Sequence, residues 1–482
     1  MLRRWWRDRW RDPLVAASER AEKRLREHAW PAALRAALRR LQEGDHRAYL
    51  VGGTVRDVLL GRPGGSLYDV SSDLEPDQVA TRFVRVEPTG VRYGTVLVIE
   101  DDLKLECTTF RSEGPYSDAR RPDHVRFTRD PRADLERRDL TVNALAFDPW
   151  AGELLDPHGG ARDLERRTLR AVGDPMDRFR EDALRPLRVA RLAATLGMEP
   201  EAELRRAMVA VGEAGSGVAV SAVAPERVRD ELMRMMVAPK PSVGLELLRE
   251  AGLLDVWLPE LARCRGQPQN RFHAYDVYFH SLYTCDAAPA DKPVVRWAAL
   301  LHDIGKPDTR VERDGEGTFY DHQFVGAALA DRLLERLRFP LAMRQAVIHL
   351  VREHMFDYRA GWSDAALRRW FRRVGPDAVA DLFDLRIADA LGNGFRQGFP
   401  ASLEPMRERI TRLLEESHAL RITDLAVDGH DVMREMELAP GREVRSALEA
   451  LLEEVLDRPE RNTREHLLAR LRQWRVARGE PA

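Results

Sequence analysis

The strongest constraint on this chain is a change of texture near residue 162. From 46 to 160 short β-rich runs alternate with turns, whereas beyond 162 nearly every segment is apolar at helical spacing and is broken only by Gly or Pro. In the first stretch the runs are 49–51, 67–70, 83–86, 142–147 and a hairpin of 95–99 with 103–110 turning at Asp101-Asp102, with helices at 54–61 and about 76–82. In the second the spacing predicts helices over 177–196, 201–211, 225–236, 242–251, 291–302, 322–337, 341–354, 364–374, 376–391, 403–418 and 443–456. Helix packed on helix thus follows a mixed-sheet head, an α+β arrangement. A lead-in over 14–43, dense in Ala, Leu, Arg and Glu and stopped by Gly44, reads as one helix. At 482 residues the chain exceeds one ordinary core. The expected pieces are 1–45, 46–162, 163–262, 263–397 and 398–482.

A net charge of −2 argues against a protein that coats polyanions over its whole surface, so nucleic-acid contacts must come from local basic faces. Cys107, Cys264 and Cys285 make no CxxC pair, which points to a reducing, cytoplasmic setting without a zinc knuckle. No apolar run reaches the roughly 18 residues of a membrane span. The Arg- and Trp-rich start lacks the apolar core of a signal peptide, so no membrane partner is expected. Oligomeric state is left open.

The chemistry begins where a short strand, Tyr49-Leu-Val, runs into Gly52-Gly53 and then into a helix. Such glycines let backbone N–H groups approach a triphosphate, and the helix N-terminus adds its positive dipole end. Alone, a Gly-Gly pair more often only makes a tight turn. Asp69 and Glu106 lie on separate strands which, if adjacent, would hold Mg²⁺ against phosphate oxygens. Arg137-Arg138-Asp139 either supply cations and a carboxylate to triphosphate and ribose or form an ordinary solvated charge run. Asp182 and Arg185, three apart in the 177–196 segment, share a helix face. The carboxylate accepts from an exocyclic amine and the guanidinium donates to a ring nitrogen or carbonyl, which suits cytosine and adenine but not uracil or guanine. Without other motifs the pair reads as a plain surface ion pair.

Leu50-Val-Gly-Gly-Thr-Val-Arg-Asp57, the Glu106 strand ending in Thr108-Thr-Phe-Arg111, Arg137-Arg-Asp-Leu-Thr-Val-Asn-Ala-Leu145, Asp156-Pro-His-Gly-Gly160 and Arg178-Phe-Arg-Glu-Asp-Ala-Leu-Arg185 occur in a telling order. Across about 46–240 they resemble the CCA-adding tRNA nucleotidyltransferases and the related bacterial poly(A) polymerases. The resemblance implies a polymerase-β-like nucleotidyltransferase head that uses CTP and ATP with Mg²⁺, and a tRNA acceptor arm or other RNA 3′ end as partner. It implies Asp69 and Glu106 as catalytic, metal-binding carboxylates. The implied nucleotide site is Gly52, Gly53, Arg56, Arg111, Arg137, Arg138, Asp139, Asn143, Asp182, Arg185 and Arg188. Further on, His280, Leu301-His-Asp-Ile-Gly-Lys306, His322, His354 and Asp389 follow the order of an HD-type phosphohydrolase, over about 270–395. The implied metal ligands are His280, His302, Asp303 and Asp389, suited to Mg²⁺, Mn²⁺, Ni²⁺ or Zn²⁺. His322 and His354 either complete a second metal position or cap helices and line the pocket. The implied activity is that of an RNA-end phosphatase or 2′,3′-cyclic phosphodiesterase.

The chain departs from the head pattern at a critical place. Where the family carries Asp-x-Asp, this sequence has Leu67-Tyr68-Asp69. Leucine cannot ligate Mg²⁺, so nucleotide incorporation is expected to be weak or absent with tRNA binding retained. Pro186, read as a helix-interior residue, is expected to remove a hydrogen bond to the Asp182 carbonyl and tilt the base-reading pair. Arg458, Arg461, Arg464, Arg470, Arg472, Arg475 and Arg478, with Leu367-Arg-Arg-Trp-Phe-Arg-Arg373, make either a basic face for the acceptor arm or a solvated helix surface.

Overall fold

The computed structural model describes residues 13–63, 65–114, 125–269, 273–313, 316–356, 358, 361–395, 403–416 and 421–477. They divide into two units, Met1–Ala262 and Arg263–Ala482. The Arg- and Trp-rich start, 1–12, lies outside the described residues.

The strands of the head are β1 Ala48–Val51, β2 Leu67–Ser72, β3 Val86–Gly90, β4 Thr95–Glu100, β5 Leu103–Thr109, β6 Arg111–Glu113, β7 Val125–Phe127, β8 Ala146–Asp148 and β9 Glu153–Leu155. Seven of them form a mixed sheet in the order β3-β4-β5-β2-β1-β8-β9, and β6 pairs with β7. β1 is buried along its whole length between β2 and β8 and is accordingly an unbroken apolar run. β5 alternates: Leu103, Leu105 and Cys107 are buried while Lys104 and Glu106 point the other way, so one face feeds the core and the other is free for chemistry. β2 and β5 are parallel neighbours whose register sets Asp69 opposite Glu106 and Leu67 opposite Lys104.

Several expected elements are divided or displaced. The 14–43 lead-in is two helices, Pro13–Glu27 and Ala32–Leu41, because Pro31 interrupts the ladder and biases Trp30 away from helix. The 83–86 run enters the sheet only from Val86, and the 142–147 run opens with a 3₁₀ turn, Thr141–Asn143, before β8. The 177–196 segment is two helices, Pro175–Glu181 and Arg185–Leu196. Between them Asp182 is extended (φ −144°, ψ 107°), and Pro186 lies in the first turn of the second helix, where its missing N–H removes nothing. The expected tilt therefore does not arise, and Asp182 and Arg185 do not share a helix.

In the second unit, the helices Val277–Ala287, Pro293–Leu301, His322–Arg336, Leu341–Glu353 and Pro376–Gly392 surround the histidines, over a core that includes the fully buried Tyr278 and Trp297. A hairpin of Arg310–Arg313 with Glu316–Phe319 was not foreseen. Beyond lie Asp364–Val374, Arg442–Asp457 and Arg464–Ala477, where most of the arginines expected on a basic face pair within the unit. Arg369 and Arg372 reach Glu453, Arg461 and Arg470 reach Glu454, Arg464 reaches Asp431, Arg472 reaches Glu435 and Arg475 reaches Glu437. Arg368 is buried on the Leu456 carbonyl, and Arg478 lies outside the described residues. Among the described residues no helix is long and apolar enough to cross a membrane.

Candidate functional site

In the first unit a cavity of about 600 Å³ opens over the Gly52-Gly53 turn, β2, β5 and the start of the Arg185–Leu196 helix, lined by eight arginines and four carboxylates among the described residues. The glycines let the backbone come close. Gly52 has φ +58°, and a Cβ there would lie 2.9 Å from Arg138 Nη1; at Gly53 it would lie 3.2 Å from Asp69 Oδ2. Asp69 is fixed by its own N–H, which donates to Thr54 Oγ1 (2.8 Å), and by the Gly53 N–H, which donates to its carboxylate.

Burial pushes the Asp69 carboxyl above its ordinary value, against Arg138, Arg56 and the Gly53 N–H. Burial and then the Asp69 charge push Glu106 upward too, with Arg234 opposing. Two partly desolvated carboxylates in cross-strand register disfavour each other's charge, which is the situation a divalent cation relieves. Leu67 is two residues before Asp69, hence on the same face, and is 49% exposed. Among the described residues no third His, Cys, Asp or Glu joins Asp69 and Glu106 at metal-sharing distance. This donor set fits one Mg²⁺ completed by substrate phosphates. It lacks the further carboxylate that two ions sharing the site would need.

The nucleotide-site residues form a connected network. Arg56 Nη1 donates to Asn143 Oδ1 (2.6 Å), Asn143 Nδ2 to Asp139 Oδ1 (3.1 Å) and Arg188 Nε to Asp139 Oδ2 (2.9 Å). Burial would raise Asp139, but the guanidinium groups of Arg188 and Arg185 and the Asn143 amide overcome it and hold the carboxyl well below the usual range. Arg137 and Arg138 both bind buried Asp134 (2.6 and 3.1 Å), and Arg111 donates to the Tyr93 carbonyl. The pair expected to read the base faces one cavity without pairing: Arg185 donates to Glu181 (2.5 Å) and to the Arg178 carbonyl (3.1 Å), while both oxygens of Asp182 accept from Arg227 (3.1 and 2.7 Å). Arg227, Glu231, Arg191 and Arg234 escaped the sequence reading; Glu231 pairs with Arg191, with Arg234 and with the expected Arg188. The Pro225–Met236 helix that carries Arg227, Glu231 and Arg234 is tens of residues from the motifs, and no local spacing connects them.

In the second unit all six expected side chains converge. His280 Nε2 lies 3.2 Å from His302 Nε2, 3.5 Å from Asp303 Oδ2 and 3.1 Å from Asp389 Oδ1, and His302 Nε2 is 3.1 Å from Asp303 Oδ2. On the other side, His322 Nε2 is 3.3 Å from Asp303 Oδ1 and 3.3 Å from His354 Nε2. Asp303 thus stands between two groups, His280-His302 with Asp389, and His322-His354. Each histidine turns Nδ1 to a backbone carbonyl: Gly392 for His280, Ala299 for His302, Phe319 for His322 and Val351 for His354. A carbonyl only accepts, so Nδ1 carries the hydrogen and the Nε2 lone pairs face one another, the arrangement of metal-ligating imidazoles.

Burial and neighbouring His302 hold His354 down at about 3, so it is neutral at pH 7. Burial would lower His302 too, but Asp303 and Asp389 raise it. Burial would lift Asp303 as well, yet His302 and Lys306 keep it well below the carboxylate range. The cluster fits a divalent ion bound by N and O donors, with Asp303 able to serve two. Three neighbours were given no role beforehand: Lys306, 2.6 Å from Asp303 Oδ2; Arg386, 2.7 Å from Asp389 Oδ2; and His273, whose ring centroid is 5.2 Å from that of His280.

Comparison with known proteins finds family matches in both units. Residues 48–170 match the poly A polymerase head domain, 197–264 a probable RNA and SrmB-binding site of polymerase A, and 272–394 the HD domain. A CCA-adding enzyme of Anoxybacillus flavithermus is 42% identical over 222 residues, 46% of this chain and 54% of that protein. An A-adding tRNA nucleotidyltransferase of Deinococcus radiodurans is 37% identical over 329 residues, 66% of this chain and 74% of its own length. The chain therefore spans only about half of the first relative and three-quarters of the second. Among solved structures, the Bacillus stearothermophilus CCA-adding enzyme in complex with CTP superposes with a TM-score of 0.71 at 25% identity, covering 92% of this chain and 98% of that one.

Proposed function

Because the chain belongs to the family of CCA-adding tRNA nucleotidyltransferases and bacterial poly(A) polymerases, we propose that it works on tRNA 3′ ends in the cytoplasm, in CCA synthesis or repair from CTP and ATP. The observation that carries this reading is Asp69 in register with Glu106, above the Gly52-Gly53 turn and inside an arginine-lined cavity. The N–H groups of the turn and the surrounding guanidinium groups bind and orient the triphosphate. Mg²⁺ held by Asp69 and Glu106 would polarise the phosphate oxygens. A carboxylate has about four acceptor sites; Arg227 takes two at Asp182 and the Leu184 N–H one, so one remains for the exocyclic amine of cytosine or adenine. The test is CTP and ATP addition to a tRNA lacking its 3′ terminus, with Asp69→Ala expected to abolish whatever addition the parent shows.

Leu67 favours a second reading, a transfer-deficient homologue that binds tRNA and whose chemistry lies in the HD centre. Robust addition by the parent would overturn it. In that centre, His280, His302, Asp303 and Asp389 would hold one divalent ion and Asp303, His322 and His354 a second, supplying an activated water. Lys306 and Arg386 orient Asp303 and Asp389 and offer positive charge to a phosphate. Release of phosphate from RNA 2′-phosphate or 2′,3′-cyclic phosphate ends, with added Mn²⁺ or Ni²⁺, is the expected reaction. An unchanged rate in Asp303→Ala would place it elsewhere.

A further inference from the structure

We propose that an exposed aromatic ledge beside the HD cluster is a base-stacking site, so that this centre selects nucleotides and RNA ends over base-free phosphate esters; the proposal rests on the phosphohydrolase reading above. The cluster opens at Asp389, whose side chain is 17% exposed, against 4% or less for its five partners. One helical turn past it, roughly 6 Å along the axis, Asn393 accepts from the Ala274 N–H (3.1 Å), which joins the chain before the Val277–Ala287 helix to the end of Pro376–Gly392. Tyr275 lies there, exposed, against Gly394. A Cβ at that glycine would come within 2.5 Å of the tyrosine ring, and its φ of +86° also favours glycine.

The Tyr275 ring meets exposed Tyr283 edge to face, with centroids 4.7 Å apart, and Phe395, 64% exposed, follows on the same loop as Gly394. The ledge is tied to the cluster. Gln269 donates to the Tyr275 carbonyl (3.3 Å) while accepting from Lys306 (2.6 Å), which in turn binds Asp303 (2.6 Å). Aromatic rings joined in this way to a cation-flanked phosphoester site offer a base a surface on which to stack while its phosphate is held, and stacking accepts any base.

The experiment compares kcat/KM for adenosine 2′,3′-cyclic phosphate, a short RNA with the same terminus and base-free glycerol 1,2-cyclic phosphate, in the full chain with Mn²⁺. In Tyr275→Ala and Phe395→Ala the preference for the base-bearing substrates over glycerol cyclic phosphate is expected to fall about ten-fold through KM, within what one stacked base supplies; Tyr275→Phe should retain it. A fall with the mononucleotide or with the RNA alone supports the ledge, and shows which source it serves. An unchanged preference, or an equal loss on all three substrates, overturns it. If the parent hydrolyses none of them, the phosphohydrolase reading fails and the ledge is judged by equilibrium dialysis of labelled adenosine 2′-phosphate. About ten-fold weaker binding in Tyr275→Ala then supports it, and equal binding overturns it.

Discussion

Leu67 and Lys104 stand opposite each other one pleat before Asp69 and Glu106, so an apolar side chain and an ammonium occupy the face where the family keeps its first carboxylate. A metal that clamps a phosphoryl transfer is worth several kcal/mol, and about 1.4 kcal/mol is ten-fold in rate. Leu67→Asp is therefore expected to raise CMP and AMP incorporation at least ten-fold over the parent; single-turnover assays with saturating Mg²⁺ would show it, and no gain would mean that the parent already works or that a defect lies deeper than this position. Asp139 supports a second prediction. Its folded pKa is depressed, so the stability it contributes is fully present above the unfolded value near 3.9 and is lost as pH falls below it. Asp139→Asn should cost about 2 kcal/mol at pH 7 because it leaves Arg188, 32% exposed and still beside Glu231, facing a neutral amide in place of its carboxylate. The gap from the parent should hold down to about pH 5 and narrow below about pH 4; denaturant midpoints equal in separation at pH 7 and pH 3.5 would contradict this assignment. Asp69 and Glu106 were legible because each sits in a short β-rich run and the family order singled them out. Arg227 was not: nothing in Pro225–Met236 distinguishes it from its neighbours until the fold brings it to Asp182, 45 residues earlier.

Helices and strands were legible where periodicity was uninterrupted and misjudged where a proline could be read two ways. Pro186 looked like an interior breaker because 177–196 is apolar at helical spacing throughout, yet the chain starts a new helix at Arg185 and uses the proline in its first turn. The arginines of Asp364–Val374 and Arg464–Ala477 are largely matched by carboxylates for a related reason. A sequence displays charges but not their partners, and Glu453, Glu454, Asp431 and Glu435 lie on other helices. Contact between elements also sets the metal cluster. At Gly392 a Cβ would lie 2.4 Å from Thr284 Oγ1, so the absent side chain permits the close crossing of Val277–Ala287 with Pro376–Gly392 that brings His280 to Asp389. Gly392→Ala should force these helices apart and lower the affinity for Mn²⁺ or Ni²⁺ at least ten-fold while far-ultraviolet circular dichroism stays helical. Metal titration monitored by competition with a chromophoric chelator would register the loss, and parent-like affinity would show that the crossing does not set the ligand geometry.

The two units each carry a core and a candidate site of their own, which has a thermodynamic consequence at the scale of the chain. A ligand stabilises only structure that must open for it to be released, by RT ln(1 + [L]/Kd), about 2.7 kcal/mol at a hundred-fold excess over Kd. In the second unit the ligands come from five helices or helix ends, and four of the six are histidines whose Nδ1 hydrogens are already committed to backbone carbonyls. A bound ion would therefore link Val277–Ala287, Pro293–Leu301, His322–Arg336, Leu341–Glu353 and Pro376–Gly392 against separate opening. Saturating Mn²⁺ or Ni²⁺ should slow amide hydrogen exchange in these helices by about a hundred-fold in the regime where exchange reports opening free energy. β1, β2, β5 and Arg185–Leu196 should be unaffected until CTP and Mg²⁺ are added. A chelator should restore the original rates, and Asp303→Ala, which removes the carboxylate shared by both groups, should abolish the metal response while leaving the CTP response of the head intact. Metal-induced protection confined to the head, or surviving in Asp303→Ala, would remove the histidine cluster as the site.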